Sequence, residues 1–321
     1  MFSQTAAIGA DIGRYSFDIA VVNFGGDVIT RKSIPLKREY SKDYLILKLV
    51  KAISEIRSEV ASDGINPICT GISVKGFIDH QAGIVLGPDH GIKGWSNVPL
   101  AKVIGKETGL PAFVGNDANL MTIAEHRFGV ARDFKNVVLV GLRTTGIGGG
   151  IIINGTLYRG VNNAGGEIGQ MIINYRDGLS DKGIRGSFEH FACATALVRR
   201  YAELKKIKYR KNRPMPSAKD IFELSYRKEK AAVRAVRENA EIVGIGIANL
   251  ITIFAPEIIV IGGGMAQARD SYIGMIRESA SNNSLENCRT EVRIERAMLG
   301  SNASLLGSAY YSMTRLAGKT I

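Results

Sequence analysis

Residues 137–160 constrain this chain more than any other stretch. They read as an apolar strand (VVLVGL), a glycine-rich turn (RTTGIGGG), a second apolar strand (IIIN), the dipeptide Asn154-Gly155 and a third strand (TLYRG). Asn-Gly between apolar runs is the strongest short hairpin signal, because both central residues of the favoured turn need positive φ. Ala6 to Thr30 repeats the plan in design though not in letters: strand AAIGA, turn DIGRYS, strand FDIAVVN, tight turn FGGD and the start of a third strand. Glycine is plentiful throughout, 37 of 321 residues, about 11.5% against a usual share of about 7%. A chain that opens each half with a glycine-rich hairpin can place two backbone loops around one ligand.

Helices fill the intervals. Ser41 caps a helix in which Leu45, Leu49, Ala52, Ile53, Ile56 and Val60 recur at helical spacing, and Asp63-Gly64 and Asn66-Pro67 end it. Strand ICTGIS follows, then the loop GPDHGIKGW, then strand PAFVG running into helix NDANLMTIAEHRF. Later segments predict a helix over 232–254 stopped before Pro256, strand EIIVIGGG, a helix over 266–280, strand TEVRIER and a last helix from about Asn302 to Leu316. Hairpins mixed with strand–helix alternation predict an α/β protein of two related lobes.

Apolar residues make up 45% and charged residues 22%, which excludes a disordered, collagen-like or coiled-coil chain. Three scattered cysteines (Cys69, Cys193, Cys288) show no metal-ligand spacing and point to a reducing cytoplasm. The start of the sequence shows no secretory signal, and the most apolar stretch, Val243 to Met265, is interrupted by Asn249, Thr252, Pro256 and Glu257. The net charge of +12 is local: Arg199 to Arg237 holds fourteen Lys/Arg against four Asp/Glu. That segment, broken by Pro214 and Pro216 into two helical pieces, reads first as a solvated helical face and second as an attractor of nucleic acid or an anionic ligand.

Several residues carry candidate chemistry. Thr145 to Gly150 could face a phosphate with backbone N–H groups, no Cβ intervening, or could be a plain hairpin turn. It lacks the GK[ST] of a P-loop, and a strand follows where a dinucleotide fingerprint needs a helix. Gly262-Gly263-Gly264, after a strand and before a helix, marks either a ligand edge or close packing. Asp11 beside Gly13 could hold Mg²⁺ through water, or simply make a turn. Asn116-Asp117 stands at a strand-to-helix junction, where both residues make good caps and the Asp could also accept a hydroxyl proton. Glu167 and Glu189, near glycine-rich turns, could each read a polyol, and Glu189 alternatively complements a helix dipole. His126 and His190 read as surface or packing residues, and Trp95 either walls a pocket or is buried.

Taken in order, DIGRYS, GISVKGFIDHQAGIVLGPDHGIKGWSNVPL, FVGNDANLMTIAEHRFG, TGIGGGIIINGTLYRG, GGEIGQ, GSFE and PEIIVIGGGM resemble the ROK family (repressors, open reading frames and sugar kinases) of the actin-like, ribonuclease-H-like ATPase fold. The resemblance covers nearly the whole chain. It implies two α/β lobes with mixed sheets around a central cleft, residues 1–125 with 303–321 forming one lobe and 126–302 the other. It further implies that Asp117 is the catalytic base, that Asn116, Glu167, Gln170 and Glu189 bind sugar hydroxyls, and that Gly76 and Asp89 lie in sugar-side loops. Asp11, Gly13, Thr145, Gly146, Gly148 and Gly263 fall on the nucleotide side. Kinase members use ATP and Mg²⁺ on glucose-like or N-acetylhexosamine substrates, act in the cytoplasm, and are often dimers or tetramers.

The departures are specific. The family's first phosphate loop usually reads DxGGT, and here Arg14 replaces a glycine and Tyr15 a small hydroxyl residue. Thr144 stands where a glycine is usual in the second loop, and Lys75 replaces a common Pro or Gly beside the sugar. The family's zinc histidine falls on Gln170 and its three cysteines on Ser180, Lys182 and Ser187, so no zinc is expected. The family's repressors place a winged helix-turn-helix before the first strand, whereas about five residues precede it here, so DNA binding of that kind is not expected. The leading expectation is an ATP-dependent kinase for a hexose or N-acetylhexosamine. The alternative is a sugar-binding sensor or regulator-like protein that has lost phosphoryl transfer, with Arg14 and Tyr15 as the discriminating residues. Nucleic-acid binding through 199–237 ranks third.

Overall fold

The computed structural model describes residues 5–87, 91–176, 184–208, 215–289 and 291–319. The chain divides into two compact units, Met1–Arg132 with Ile153–Gly165 and Leu299–Ile321, and Asp133–Ile152 with Gly166–Met298. The stretch from Leu299 and the short segment 153–165 thus group with the amino-terminal unit; the expectation had 303–321 there and 153–165 in the other lobe.

In the first unit β1 (Ala6–Ile12), β2 (Ser16–Asn23) and β3 (Val28–Pro35) form an antiparallel meander. β4 (Tyr40–Ser41) leads into α1 (Lys42–Ala61), where Ser41 Oγ accepts the N–H of Tyr44 at 3.4 Å. The six apolar residues picked out by their spacing are its buried face. β5 (Thr70–Val74) follows, then a small antiparallel pair, β6 (Phe77–Asp79) and β7 (Ile84–Gly87). β8 (Ile92–Lys93), α2 (Leu100–Thr108), β9 (Ala112–Asn116) and α3 (Asp117–Arg127) complete the run. The main sheet is ordered β3-β2-β1-β5-β9, and β1, β5 and β9 are parallel, so their carboxyl ends share one edge. Trp95 is buried at 1% exposure in this core, as the packing alternative has it.

In the second unit β10 (Val137–Leu142) pairs antiparallel with β11 (Ile147–Ile153). Asn154 and Gly155 then turn the chain at φ 52° and 77°, as the dipeptide requires, into β12 (Thr156–Tyr158), which belongs to the segment grouped with the first unit. The helices α4 (Phe188–Ala192), α5 (Ala194–Leu204), α6 (Ala218–Tyr226) and α7 (Lys230–Phe254) follow. β13 (Ile258–Gly262), α8 (Asp270–Asn282), α9 (Glu286–Arg289) and β14 (Arg293–Arg296) come next. β13 is parallel to both β10 and β14, so hairpin plus two parallel strands repeats the wiring of β2-β1-β5-β9. The duplicated plan read from the two hairpins is therefore a duplicated sheet.

The chain ends in α10 (Ala303–Leu316), which returns to the first unit. Its small residues let it sit directly on β1 and β5. A Cβ on Gly71 would fall 1.8 Å from the carbonyl oxygen of Ser308, and one on Gly9 would fall 2.4 Å from that of Leu305. In the second unit Gly246 of α7 takes the ring of Phe188 from α4, with 2.4 Å left for any Cβ. A buried polar link ties α8 to the same two helices: Tyr272 of α8 donates to Asn239 Oδ1 at 2.6 Å, and Asn239 Nδ2 donates to the carbonyl of Ala192 at 3.2 Å.

Two local expectations need correction. Gly148, Gly149 and Gly150 do not form the turn. They lie inside β11, paired with Gly141, Val140 and Leu139, and the turn itself is residues 143–146. Gly149 is glycine because Ile168 and the carbonyl of Gly166 press on it, at 2.5 and 2.6 Å from a hypothetical Cβ. The helix expected over 266–280 begins only at Asp270, because residues Gly264–Gln267 form a 3-10 turn first.

The basic segment 199–237 is spread over α5, α6 and the start of α7. Part of its charge is matched on its own surface, Lys205 by Glu229 at 3.2 Å and Arg234 by Glu238 at 2.8 Å. Its residues 209–214 lie outside the described residues. Among the described residues no helix is long and apolar enough to cross a membrane.

Candidate active site

In the first unit, five predicted residues gather at the carboxyl edge of the sheet. Asp11, one residue before the end of β1, is in register with Ser73 of β5, which is in register with Gly115 of β9. At about 4.8 Å per strand step, Asp11 and the end of β9 are roughly 10 Å apart along one edge. This is the edge where open α/β sheets bind ligands. The Asp11 carboxylate accepts the hydroxyl of Ser73 at 2.6 Å, and Ser73 is fully buried. That hydrogen bond fixes the carboxylate at the sheet edge. Gly13 follows in the β1–β2 turn, its N–H bonded to the carbonyl of Ser16 at 3.0 Å. A side chain there would meet that carbonyl at 2.8 Å.

Asn116 closes β9 and caps α3. Its Oδ1 accepts the N–H groups of Ala118 and Asn119 at 2.9 and 3.1 Å, and its Nδ2 donates to the carbonyl of Gly76 at 3.0 Å. The amide therefore joins the Gly76 loop to the helix start. Gly76 has φ 108°, a conformation that L side chains rarely adopt. Asp117 is the first residue of α3, half-buried, with Oδ1 accepting the N–H of Ala118 at 2.8 Å. Asp89 lies outside the described residues.

The second unit holds the other group. The hairpin turn after β10 is closed by the N–H of Arg143 on the carbonyl of Gly146 at 3.1 Å. Thr144 and Thr145 stand exposed at its tip. The start of α5 donates to the same turn, Ala194 to Arg143 and Thr195 to Thr144. Glu189, 9% exposed, reaches back to the loop: its Oε2 accepts the N–H of Ile147 at 3.4 Å. It is also a first-turn acid of α4. Glu167 precedes a 3-10 turn over Ile168–Gln170, with the N–H of Gln170 on its carbonyl at 3.0 Å. Gly263 has φ 86° and lies 2.3 Å, measured from a hypothetical Cβ, from the carbonyl of Leu142. Its glycine identity is thus required by close packing at the end of β13. Gly148, on β11, is set back from the turn.

Gln170 Oε1 and Ser187 Oγ are both buried and lack a hydrogen-bond partner. They fall on two of the positions where the resemblance led zinc ligands to be looked for. Neutral amide and hydroxyl oxygens do not replace the imidazole and thiolates of structural zinc. Ser180 and Lys182 lie outside the described residues. Among those described, no group of three or more His, Cys, Asp or Glu could hold a metal.

Sequence reasoning missed two features of the first unit. One is Ser73, the last residue of ICTGIS, whose burial and position opposite Asp11 give it meaning. The other is a small cavity of about 20 Å³ lined by Asn116, Asn119, His80, Arg159, Asn163 and Tyr311. His80 Nδ1 and Asn119 Oδ1 face burial without a partner. Burial and the positive field of Arg159 and Arg315 hold the imidazole below its ordinary pKa. Arg159 is itself lowered by burial. The Asn116–Asn119 spacing was the available signal.

Comparison with known proteins agrees with this architecture. The model of the ROK family matches residues 7–315. A glucokinase of Thermotoga maritima is 29% identical over 319 residues, covering 97% of this chain and 98% of that protein. The xylose repressor of Caldicellulosiruptor bescii is 29% identical over 308 residues, covering 94% of this chain and 76% of that protein. Among solved structures, a ROK family glucokinase from Streptomyces griseus in complex with glucose and AMPPNP superposes with a TM-score of 0.80 at 26% identity. The match covers 96% of this chain and 99% of that one. With a match that runs from the first strand into the last helix, the chain belongs to the ROK family and has its actin-like ATPase fold.

Proposed function

We propose that this chain is an ATP-dependent sugar kinase that phosphorylates a hydroxyl of a hexose or N-acetylhexosamine. The observation that carries the reading is the shared sheet edge on which Asp11 and Asp117 stand about two strands apart. The glucokinase relative and the glucose- and AMPPNP-bound structure support it.

Asp117 takes the proton of the attacking sugar hydroxyl. The oxygen then bonds to the γ-phosphorus of ATP, the bond from that phosphorus to the β-phosphate oxygen breaks, and ADP leaves with the electron pair. A loose transition state asks little strength of the base and much of positioning. Asn116 contributes by tying the Gly76 loop to α3, and Asp89 would act from the sugar-side loop. Glu167, Gln170 and Glu189 read sugar hydroxyls, and the partnerless Oε1 of Gln170 suits a hydroxyl donor. Thr145 and Gly146 at the hairpin tip, Gly13 in the first turn and Gly263 at the end of β13 offer backbone to the nucleotide. Gly148, inside β11, supports that tip.

Mg²⁺ fits the donor set at Asp11, a hard carboxylate oxygen held by Ser73. When bound it would neutralise phosphate charge.

A second reading, a sugar sensor without transfer, is favoured by Arg14 and Tyr15 in the first turn and by the repressor relatives. The deciding experiment is ADP release from Mg-ATP over a panel of hexoses and N-acetylhexosamines, run beside Asp117→Asn. Sugar-dependent turnover that falls about 10²- to 10⁴-fold in the variant supports the kinase. Sugar binding by calorimetry with no turnover in either protein assigns the sensor role.

A further inference from the structure

The turn between β1 and β2 carries a guanidinium and a phenol that the kinase reading has not used. Arg14 and Tyr15 are both exposed, Tyr15 at 59%. The Arg14 guanidinium carbon lies 5.4 Å from the centroid of the Tyr15 ring. Among the described residues, no carboxylate pairs with Arg14.

The backbone beneath this pair is pinned. The N–H of Gly13 bonds to Ser16, the N–H of Leu36 donates to the carbonyl of Tyr15 at 2.8 Å, and the Tyr40 hydroxyl reaches the carbonyl of Arg14 at 3.5 Å. Tyr40 packs on Tyr44 at 6.1 Å, and the Tyr44 ring takes the ammonium groups of Lys37 and Lys48 at 5.1 and 5.8 Å. The chain flanking the turn therefore presents three cations steadied on aromatic rings.

We infer that Arg14 is a donor-binding residue, whose guanidinium takes oxygens of the triphosphate chain of the phosphoryl donor. The inference rests on the kinase reading and deepens it. A planar guanidinium grips phosphate through two parallel hydrogen bonds. Stacking on Tyr15 restricts its rotamers beforehand, so less freedom is lost when the anion arrives. The turn follows Asp11 by two residues, which puts the cation on the strand end already assigned to phosphate. Arg14 thus supplies by side chain what a glycine in this turn would supply by open backbone. Tyr15 and Tyr40 are positioning residues for it.

Calorimetric titration of ADP with Mg²⁺, and separately of inorganic tripolyphosphate, into wild type, Arg14→Ala and Arg14→Lys tests the assignment without requiring turnover. Arg14→Ala should weaken both ligands about tenfold or more, the loss expected of one charge-assisted contact. Arg14→Lys should recover only part, having the charge without the fork. Sugar affinity should stay within twofold, and in kinetics KM for ATP should rise while KM for sugar holds. Tyr40→Phe should move nucleotide affinity in the same direction, by less, at unchanged melting temperature. Unchanged or tighter binding of both phosphate ligands in Arg14→Ala overturns the inference and makes the side chain an obstruction. Loss of tripolyphosphate binding alone, with ADP unaffected, supports the inference and places the contact on the third phosphate, which ADP lacks. If wild type binds both ligands but turns over no sugar, the kinase reading fails while the affinity ratio still decides Arg14. If wild type binds neither, both fail.

Discussion

Asn116 Nδ2 donates to the carbonyl of Gly76 at 3.0 Å, so one amide fixes a loop at φ 108° to the helix start that carries Asp117. The other end of that amide accepts two helix N–H groups. Asn116→Asp separates the two duties, since a carboxylate caps as well as an amide but cannot donate. The variant should lose about 1 kcal/mol or less in chemical denaturation, with a clear rise in KM for sugar as the Gly76 loop is released. Asn116→Ala should lose about 1 kcal/mol more, because the cap goes too. Equal stability and equal sugar KM in both variants would remove the amide from the site.

Glu189 and Gly146 form a second coupled pair. A Cβ on Gly146 would stand 2.8 Å from Glu189 Oε2, the same oxygen that accepts the N–H of Ile147. Gly146→Ala should therefore destabilise the protein by about 1 kcal/mol, the low end of overpacking, because the atom that must give way is the end of a side chain. In a Glu189→Ala background, where the oxygen is gone, the same change should cost at least 0.5 kcal/mol less, the coupling expected for residues in contact. Denaturant midpoints of the four proteins close the cycle, and strict additivity would count against the contact.

Much of this was legible in the sequence, and the reason is local. The two hairpins, the buried stripe of α1 and the Asn116 cap each depend on period, turn chemistry or capping within a few residues. The same economy left the glycine run 148–150 ambiguous. A run of glycines signals absent side chains without saying whether a ligand or another strand needs the room, and at Gly149 it is Ile168 that needs it. The delayed start of α8 depends on the 3-10 turn after Gly263, which no periodicity announces. Ser73 pairs with Asp11 across 62 positions, and the cavity beside Asn116 gathers residues from as far apart as His80 and Tyr311. Only the folded sheet brings those together.

The three cysteines differ in ways that labelling can read. Cys69 is fully buried, its thiol pushed up to about 11 by burial, with its Sγ–H donating to Ser312 at 3.3 Å. Cys193 is buried as well, whereas Cys288 is half-exposed. Because the thiolate is the reactive form, a chromogenic disulfide reagent at pH 8 should titrate one thiol per chain quickly and the other two only on denaturation. Mass spectrometry should place the fast label on Cys288. Fast labelling of Cys69 in the native protein would contradict its position under α10.

His80 makes stability depend on pH in a stated direction. Burial, Arg159 and Arg315 hold its pKa below the ordinary value, outweighing the hydrogen bond to Asn163 and the charge of Asp79. Its carbonyl meanwhile accepts from Arg315 at 3.2 Å. The folded state therefore binds this proton less readily than the unfolded chain does. The stabilising contribution is complete above about pH 6.5, shrinks as pH falls through that value, and stops changing below the folded pKa. His80→Gln keeps an amide that can meet Asn163 and removes the titration. The stability of wild type relative to this variant should accordingly be greater at pH 7.5 than at pH 5.5, measured by denaturant melts at both. A difference that stays level, or grows on acidification, would mean the imidazole carries its proton in the cavity beside Asn116.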